Sequence, residues 1–182
     1  PEKLKSHVPV LGEHGVFTED LYTDTIIEFI EESRDEPFFV YYASCVPHGD
    51  SNKIPNSGLW APSIEGNDQY EQLSERERLY AALMTRHDRN VGRLMDAGRK
   101  LGIDQNTIIL WTSDNGDEDS YYGRTETWNG SGPFRMHKRY LYEGGIRVPM
   151  LGWWPGTIPA GSTSNLITTQ YDLIPTLADI GG

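Results

Sequence analysis

Apolar residues recur at three- and four-residue steps in two stretches of the chain, and this spacing predicts two amphipathic helices. The first helix runs from Thr18, a suitable N-cap residue, to about Arg34. The second helix opens on a capping box, with Ser74 at the N-cap and Glu77 three residues later. Gly102 is typical of the position where a helix ends. The apolar stripe of the second helix consists of Leu79, Leu83, His87, Val91, Leu94, Gly98 and Leu101.

Three short runs of aromatic and β-branched residues predict buried strands, over residues 38–43, 107–112 and 147–153. Helices and strands that alternate along a chain are typical of an α/β fold with a largely parallel sheet flanked by helices. Long polar loops follow the first two strands, over residues 44–73 and 113–140. Since ligands of such sheets bind beyond the C-terminal ends of the strands, we expect a functional site in these loops.

The composition excludes several classes of protein. The 182 residues carry 16 Lys+Arg against 27 Asp+Glu, and the net charge of −11 argues against a nucleic-acid-binding protein. No apolar run approaches the roughly 20 residues of a membrane span. The single cysteine, Cys45, excludes an intramolecular disulfide framework and a cysteine-based zinc site. Because the chain begins at Pro1 without a signal-peptide pattern and stops at Gly182, we expect a fragment of a longer protein.

Asp114 and Asn115 directly follow the second predicted strand. A carboxylate and a neighbouring amide oxygen at a strand end can bind a hard cation such as Ca²⁺ or Mg²⁺. The same two residues, followed by Gly116, also favour an Asx turn with no ligand at all. The pattern alone leaves both interpretations open.

Pro47 and His48 lie just beyond the first predicted strand. A histidine there can bind an anion or move a proton near neutral pH, and an ordinary loop histidine fits the sequence equally well. We interpret the nearby Cys45 as a small buried residue, because no basic residue is paired with it in the sequence.

His137, Lys138 and Arg139 form a positive cluster in a chain that has only 16 Lys+Arg. A lysine near a glycine-rich turn, here Gly144–Gly145, can hold an anionic oxygen as a point charge. The alternative is a solvated loop followed by a structural turn. Either way, the two glycines indicate tight backbone geometry or a close approach of the backbone.

Two further polar residues are predicted to be structural. His87 lies on the apolar stripe of the second helix, which indicates a core histidine with its hydrogen bonds satisfied. Asp172 lies in a short helical segment predicted over residues 169–180, where it is interpreted as a local cap.

The order of these motifs resembles the sulfatase family, within the alkaline-phosphatase-like superfamily. Each motif alone is weak, but the ordered set is specific and extends over about residues 18–182. The matching positions are Pro47-His48, Asp88, Gly92, Asn106-Thr107, residues 113–116, Lys138, residues 142–149, residues 154–156 and residues 172–177.

The resemblance implies that the protein hydrolyses a sulfate monoester, of a small molecule or a carbohydrate, at the edge of a mixed sheet. The nucleophile would be a formylglycine beside one Ca²⁺, or Mg²⁺. Asp114 and Asn115 would be metal ligands, and Lys138 would grip the sulfate and steady the departing oxygen. His48 would contact the sulfate or the leaving group. A periplasmic, secreted or lysosomal location is also implied.

The sequence departs from the family at two important points. It contains no C/S-x-P-S-R motif, from which formylglycine is made, and no early pair of aspartates to complete the calcium site. Gly49–Asp50 also replaces the usual end of a Pro-His-x-Pro motif, whereas Arg147 and Glu143 look structural. We therefore expect residues 1–182 to be a fragment of a single sulfatase catalytic domain whose N-terminal part, with the nucleophile, is missing, and to be inactive alone.

Two alternatives to a sulfatase remain open at this stage. One is a phosphate or phosphonate ester hydrolase of the same superfamily, and the other is a non-catalytic sulfatase-like binding module.

Overall fold

The computed structural model describes residues 17–48, 70–118 and 125–182. Residues 49–69 of the first predicted loop, including Gly49–Asp50, and residues 119–124 of the second lie outside the described residues. The described helices are α1 (Thr18–Glu32), α2 (Glu75–Leu101), α3 (Thr125–Trp128), α4 (Glu143–Ile146) and α5 (Leu173–Gly181). The strands are β1 (Ile109–Thr112) and β2 (Met150–Trp153), and single 3-10 turns span Asp104–Asn106 and Gln170–Asp172.

Both ends of α2 are confirmed as predicted. The Ser74 hydroxyl oxygen accepts the Glu77 N–H at 3.4 Å, and the Glu77 carboxylate accepts the Ser74 N–H at 2.9 Å, which completes the capping box. Gly102 ends the helix with a φ of 71°, a left-handed conformation that glycine adopts at little cost.

The start of α1 differs from the prediction. The helix begins at Thr18 and its N-cap is Phe17, so the prediction that Thr18 is the N-cap residue was wrong by one position. No side chain caps this end, and the Phe17 carbonyl instead accepts the N–H groups of Asp20 and Leu21. Phe17 is placed here by packing, because its ring is buried in the core beside α2.

Helices α1 and α2 pack together through a small core and a polar seam. Asp20 accepts hydrogen bonds from Arg86 Nε and Asn90 Nδ2, each at 3.0 Å. Burial acts to raise the pKa of Asp20, but the hydrogen bonds and charges of its partners outweigh burial and lower the pKa. An ion pair between Arg93 and Asp24 extends the seam. The buried core beside it comprises Phe17, Leu79, Ala82 and Leu83.

Strands β1 and β2 pair in antiparallel fashion, with Ile109 opposite Trp153 and Thr112 opposite Met150. These two strands form the only sheet among the described residues, and no parallel pair occurs there. Both strands are shorter at their N-terminal ends than predicted.

The predicted strand over residues 38–43 is extended backbone that pairs with no strand in the described part of the chain. Its side chains alternate as those of a half-buried strand do. Phe39 and Tyr41 are 71% and 83% exposed, whereas Phe38, Val40 and Tyr42 are partly buried. The segment therefore has the pattern of a strand without the hydrogen-bond ladder.

The predicted C-terminal helix is present as a 3-10 turn that leads into α5. Asp172 Oδ2 accepts the Thr169 N–H at 2.7 Å, which confirms the prediction that Asp172 is a local cap. None of the helices among the described residues combines the length and apolar character needed to cross a bilayer.

Candidate active site

The loop after β1 and the loop that carries Lys138 are joined by backbone hydrogen bonds. The Gly116 N–H donates to the Gly145 carbonyl at 3.0 Å, and the Lys138 N–H donates to the Asp117 carbonyl at 2.7 Å. We call residues 113–118 and 135–146 the paired loops. The paired loops place Lys138 beside the segment of Asp114 and Asn115, although the two are distant in sequence.

At three glycines of the paired loops, the backbone lies too close to another carbonyl group to leave room for a side chain. A Cβ atom at Gly116 would lie 1.9 Å from the Gly144 carbonyl oxygen, and one at Gly144 would lie 1.8 Å from that of Met136. A Cβ atom at Gly145 would lie 2.0 Å from the Tyr140 carbonyl oxygen. All three glycines are buried. The close backbone approach expected of Gly144–Gly145 is thus confirmed, and Gly116 takes part in it as well.

Asp114 and Asn115 lie at the outer end of β1 with oxygen atoms that could bind a cation. The Gly116 N–H, which an Asx turn at Asp114 would use, instead donates to Gly145. Asp114 is exposed, and Ser113 Oγ is 3.5 Å from one of its oxygens. Asn115 Nδ2 donates to the Gly116 carbonyl at 2.9 Å, so its oxygen is the atom left for a ligand. An Asx turn at Asp114 is therefore not formed, and the binding of a cation by Asp114 and Asn115 stays a prediction.

Lys138 is the one partly buried lysine or arginine of the paired loops, and no carboxylate of the described residues forms an ion pair with it. Its neighbour Arg139 forms an ion pair, in which Nη1 donates to the buried carboxylate of Glu118 at 2.9 Å. Arg147 pairs with Glu143, in line with the structural roles expected of both. That Lys138 binds an anion stays a prediction, and an ammonium group without an acidic partner among the described residues is compatible with it.

The histidines near the candidate site belong to different segments. His137 is in the paired loops, with its ring edge-on to Tyr140 at a centroid distance of 5.1 Å. His48 is exposed and follows the extended segment, where its N–H donates to the Cys45 carbonyl at 2.9 Å. Cys45 is exposed rather than buried as predicted. Desolvation of its thiol and the charge of Glu19 raise its pKa, which opposes a role as nucleophile.

A buried carboxylate that the sequence analysis missed holds the segment before His48. Glu19 is 3% exposed and accepts hydrogen bonds from Tyr42 OH at 2.6 Å, Ser44 Oγ at 2.8 Å and the Cys45 N–H at 2.9 Å. Burial and the bond to Glu19 raise the pKa of Tyr42 well above its usual value. Acidic residues are common in the first turn of a helix, so nothing in the sequence distinguishes Glu19 from an ordinary one.

His87 connects this carboxylate to β1. Its Nε2 accepts the Trp111 Nε1–H at 2.9 Å, and its Nδ1 lies 3.4 Å from Ser44 Oγ. His87 is 8% exposed, and the prediction of a satisfied core histidine is confirmed. The hydrogen bonds therefore run from α1 through the extended segment and α2 to the strand that precedes Asp114.

We expect the titration of His87 to make the protein less stable in mild acid. Burial lowers its pKa below the ordinary value of 6.5, against the opposing charges of Glu19 and Asp88. As pH falls, His87 is therefore protonated in the unfolded chain before it is protonated in the folded protein. The free energy of unfolding is unaffected by this group above about pH 6.5 and declines below it. The total loss is about 1.4 kcal/mol for each pH unit by which folding lowers the pKa of His87. The check is the melting temperature at about pH 7.5 and pH 5.5. A His87→Gln variant should lose less stability between the two; equal losses would contradict the assignment.

Comparison with known protein families identifies the class of protein. The profile of the sulfatase family matches residues 3–182, nearly the whole chain. The chain belongs to the sulfatase family, and the resemblance seen in its motifs is confirmed.

Individual relatives agree with this assignment. The chain is 35% identical to an arylsulfatase of Hemicentrotus pulcherrimus, over 89% of this chain and 26% of that protein. It is 36% identical to human arylsulfatase A, over 91% of this chain and 28% of that protein. It is also 32% identical to mouse N-acetylgalactosamine-6-sulfatase, again over 28% of that protein. The chain thus spans little more than a quarter of the length of these relatives.

Solved structures confirm the predicted fold class, an α/β fold of the alkaline-phosphatase-like kind that is incomplete in this chain. Ps i-CgsB in complex with k-i-k-neocarrahexaose matches with a TM-score of 0.76 and 30% identity, over 91% of this chain and 34% of that one. The PsFucS1 sulfatase from Pseudoalteromonas sp. matches with a TM-score of 0.65 and 26% identity, over 90% of this chain and 30% of that one.

Proposed function

We propose that this chain supplies the paired loops of a sulfatase active site, and that the complete protein hydrolyses a sulfate monoester. The observation that carries the proposal is the position of Lys138. Its side chain is partly buried and has no acidic partner among the described residues, and its backbone is bonded to the loop of Asp114 and Asn115.

The charge of the chain explains why a fixed cation is needed. The net charge of −11 repels an anionic ester, so binding requires local positive groups. When the ester S–O bond breaks, negative charge develops on the departing oxygen. Lys138 can donate hydrogen bonds to the sulfate oxygens and to that atom, and a preorganised donor of this kind lowers the barrier most where charge develops.

Asp114 and Asn115 fit part of a calcium site, or of a magnesium site. A carboxylate and an amide oxygen are suitable ligands for a hard cation, which needs six to eight oxygens in the case of Ca²⁺. Among the described residues, no group of three or more His, Cys, Asp or Glu is placed to hold a metal, so we expect further ligands from elsewhere in the protein. When bound, the cation would offset charge on the sulfate oxygens.

His48 is proposed to contact the sulfate or to protonate the departing alcohol oxygen, which leaves as a neutral alcohol. The nucleophile is proposed to be a formylglycine supplied by another part of the protein, since this chain contains no C/S-x-P-S-R motif. The known complex of Ps i-CgsB with k-i-k-neocarrahexaose supports a carbohydrate sulfate as one substrate class.

We further propose that residues 1–182 form part of a single catalytic domain and are inactive alone. Large apolar side chains are exposed on the extended segment and on β2, among them Phe39, Tyr41 and Leu151. The remainder of a longer domain would cover them, as expected for a chain that spans 26% and 28% of its relatives.

We expect Asp114→Ala to remove the metal and with it the activity of the complete protein. Loss of a direct ligand should weaken calcium binding by at least about 100-fold, since even residues that only support a ligand cost about 10- to 100-fold. The measurements are bound calcium by mass spectrometry and the rate of sulfate release. Asp104→Asn is the control, because Asp104 lies before β1, at the opposite end of the strand. Normal calcium content and turnover in Asp114→Ala would contradict the metal assignment.

A further inference from the structure

Glu19 is an unusual carboxylate because it is buried without a cation. It is 3% exposed, and no ion pair of the described residues involves it. Burying a charge is costly unless hydrogen bonds compensate. Its compensation comes from three donors of one short segment, Tyr42, Ser44 and Cys45, rather than from the helix packed beside α1.

The direction of each hydrogen bond in this network is fixed by the chemistry of its donors. The Trp111 indole can only donate, so Nε2 of His87 is the acceptor and the proton of the neutral ring is on Nδ1. Nδ1–H then faces Ser44 Oγ at 3.4 Å, and the Ser44 hydroxyl donates to Glu19 at 2.8 Å. A carboxylate at the end accepts and cannot donate, so the chain of donors runs one way from Trp111 to Glu19.

The network secures a segment that has no other regular support in the described part of the chain. Residues 37–45 have no strand partner there, so a ladder does not hold them. The Cys45 N–H bonds to Glu19, and the Val46 N–H bonds to Ser44 Oγ at 3.2 Å. The next bond joins His48 to the Cys45 carbonyl. Through these bonds, the Glu19 carboxylate helps to set the position of His48.

We propose that Glu19 is a positioning residue for His48. Glu19 fixes the backbone at Cys45 through its hydrogen bond to the Cys45 N–H. Ser44 and His87 connect Glu19 by further hydrogen bonds to Trp111 on β1, the strand that leads to Asp114. The network thus sets His48 in relation to the paired loops. The catalytic use of His48 rests on the proposed function, but the positioning itself does not.

The first test is amide hydrogen exchange in the complete protein. Glu19→Gln keeps the shape of the side chain but can no longer accept from all three donors. We expect the amides of Cys45 and His48 to exchange about tenfold faster or more, as for loss of a hydrogen bond to a charged group. Asp20→Asn is the matched control, because the side chain of this neighbour in α1 accepts hydrogen bonds from Arg86 and Asn90 of α2 and not from residues 42–45.

Exchange at Cys45 and His48 should stay within about twofold of wild type in the Asp20→Asn control. Unchanged exchange in Glu19→Gln, or an equal rise in both variants, would overturn the proposal. If Glu19→Gln does not fold, Ser44→Ala is measured instead, because it removes the hydroxyl that bonds to Glu19, His87 and the Val46 N–H. Faster exchange at Val46 and His48 is then expected, and unchanged exchange at both would overturn the proposal.

The second test is a double-mutant cycle with His48→Ala, measured as kcat/KM for a sulfate ester. If Glu19 acts through His48, Glu19→Gln should lower kcat/KM by about tenfold with His48 present and by less than about twofold without it. Equal effects in both backgrounds would overturn the positioning role. A wild-type protein that cleaves no sulfate ester would instead reject the proposed function, and hydrogen exchange would then decide the positioning alone.

Discussion

Replacing Lys138 with methionine is expected to lower kcat/KM of the complete protein for an aryl sulfate by about 10²- to 10³-fold, the cost of removing one preorganised donor to developing charge. Methionine keeps most of the length of the side chain and loses only the ammonium group. Because no carboxylate of the described residues pairs with Lys138, the loss should not come from a broken structural ion pair. Initial rates over a range of substrate concentrations give the two kinetic constants.

Lys100→Met is the matched control for this change. Lys100 is exposed in the last turn of α2 and should leave both constants unchanged. If Lys138→Met retained wild-type kcat/KM while Lys100→Met behaved as expected, Lys138 would have no part in stabilising the reaction.

Replacing Gly144 with alanine is expected to destabilise the protein by about 3 kcal/mol or more, at the upper end of overpacking effects. The new Cβ would lie 1.8 Å from the Met136 carbonyl oxygen, a backbone atom that cannot move aside as a side chain can. The same displacement would distort the loop that carries Lys138, so activity should be lost as well. Denaturant unfolding gives the change in the free energy of unfolding.

Gly92→Ala separates this steric effect from a general intolerance of alanine at glycine positions. Apart from the backbone of α2 itself, a Cβ at Gly92 meets no atom of the described residues within 4 Å, so the variant should be neutral or up to about 1 kcal/mol more stable. Similar stabilities for Gly144→Ala and Gly92→Ala would contradict the close approach of Gly144 to the Met136 carbonyl.

Features decided by local chemistry could be predicted from the sequence. The capping box of Ser74 and Glu77 and the terminal Gly102 fix both ends of α2 whatever surrounds the helix. His87 could be assigned to the core from its place on an apolar stripe. The N-cap of α1 could not be predicted from the sequence, because Phe17 is held by packing against α2. That contact joins residues far apart in the sequence.

The residues of the candidate site could be named from the sequence, but their arrangement could not. Asp114, Asn115 and Lys138 are recognisable by type and order, whereas the backbone bonds that join them depend on the close approach of three glycines. Glu19 carries no local signal, since only its distant partners Tyr42, Ser44 and Cys45 make it different from any acidic residue in a first turn. The antiparallel pairing of β1 and β2 is likewise not encoded in their apolar pattern.

The central claim, that this chain forms part of a sulfatase active site, is tested most directly by comparing sulfate and phosphate esters as substrates of the complete protein. A 4-nitrophenyl sulfate, a 4-nitrophenyl phosphate and a sulfated oligosaccharide would be assayed before and after removal of metal with a chelator. We predict that at least one sulfate ester is cleaved faster than the phosphate ester, that the chelator abolishes this activity, and that Ca²⁺ or Mg²⁺ restores it. Faster cleavage of the phosphate ester, or no cleavage of any sulfate ester, would contradict the claim.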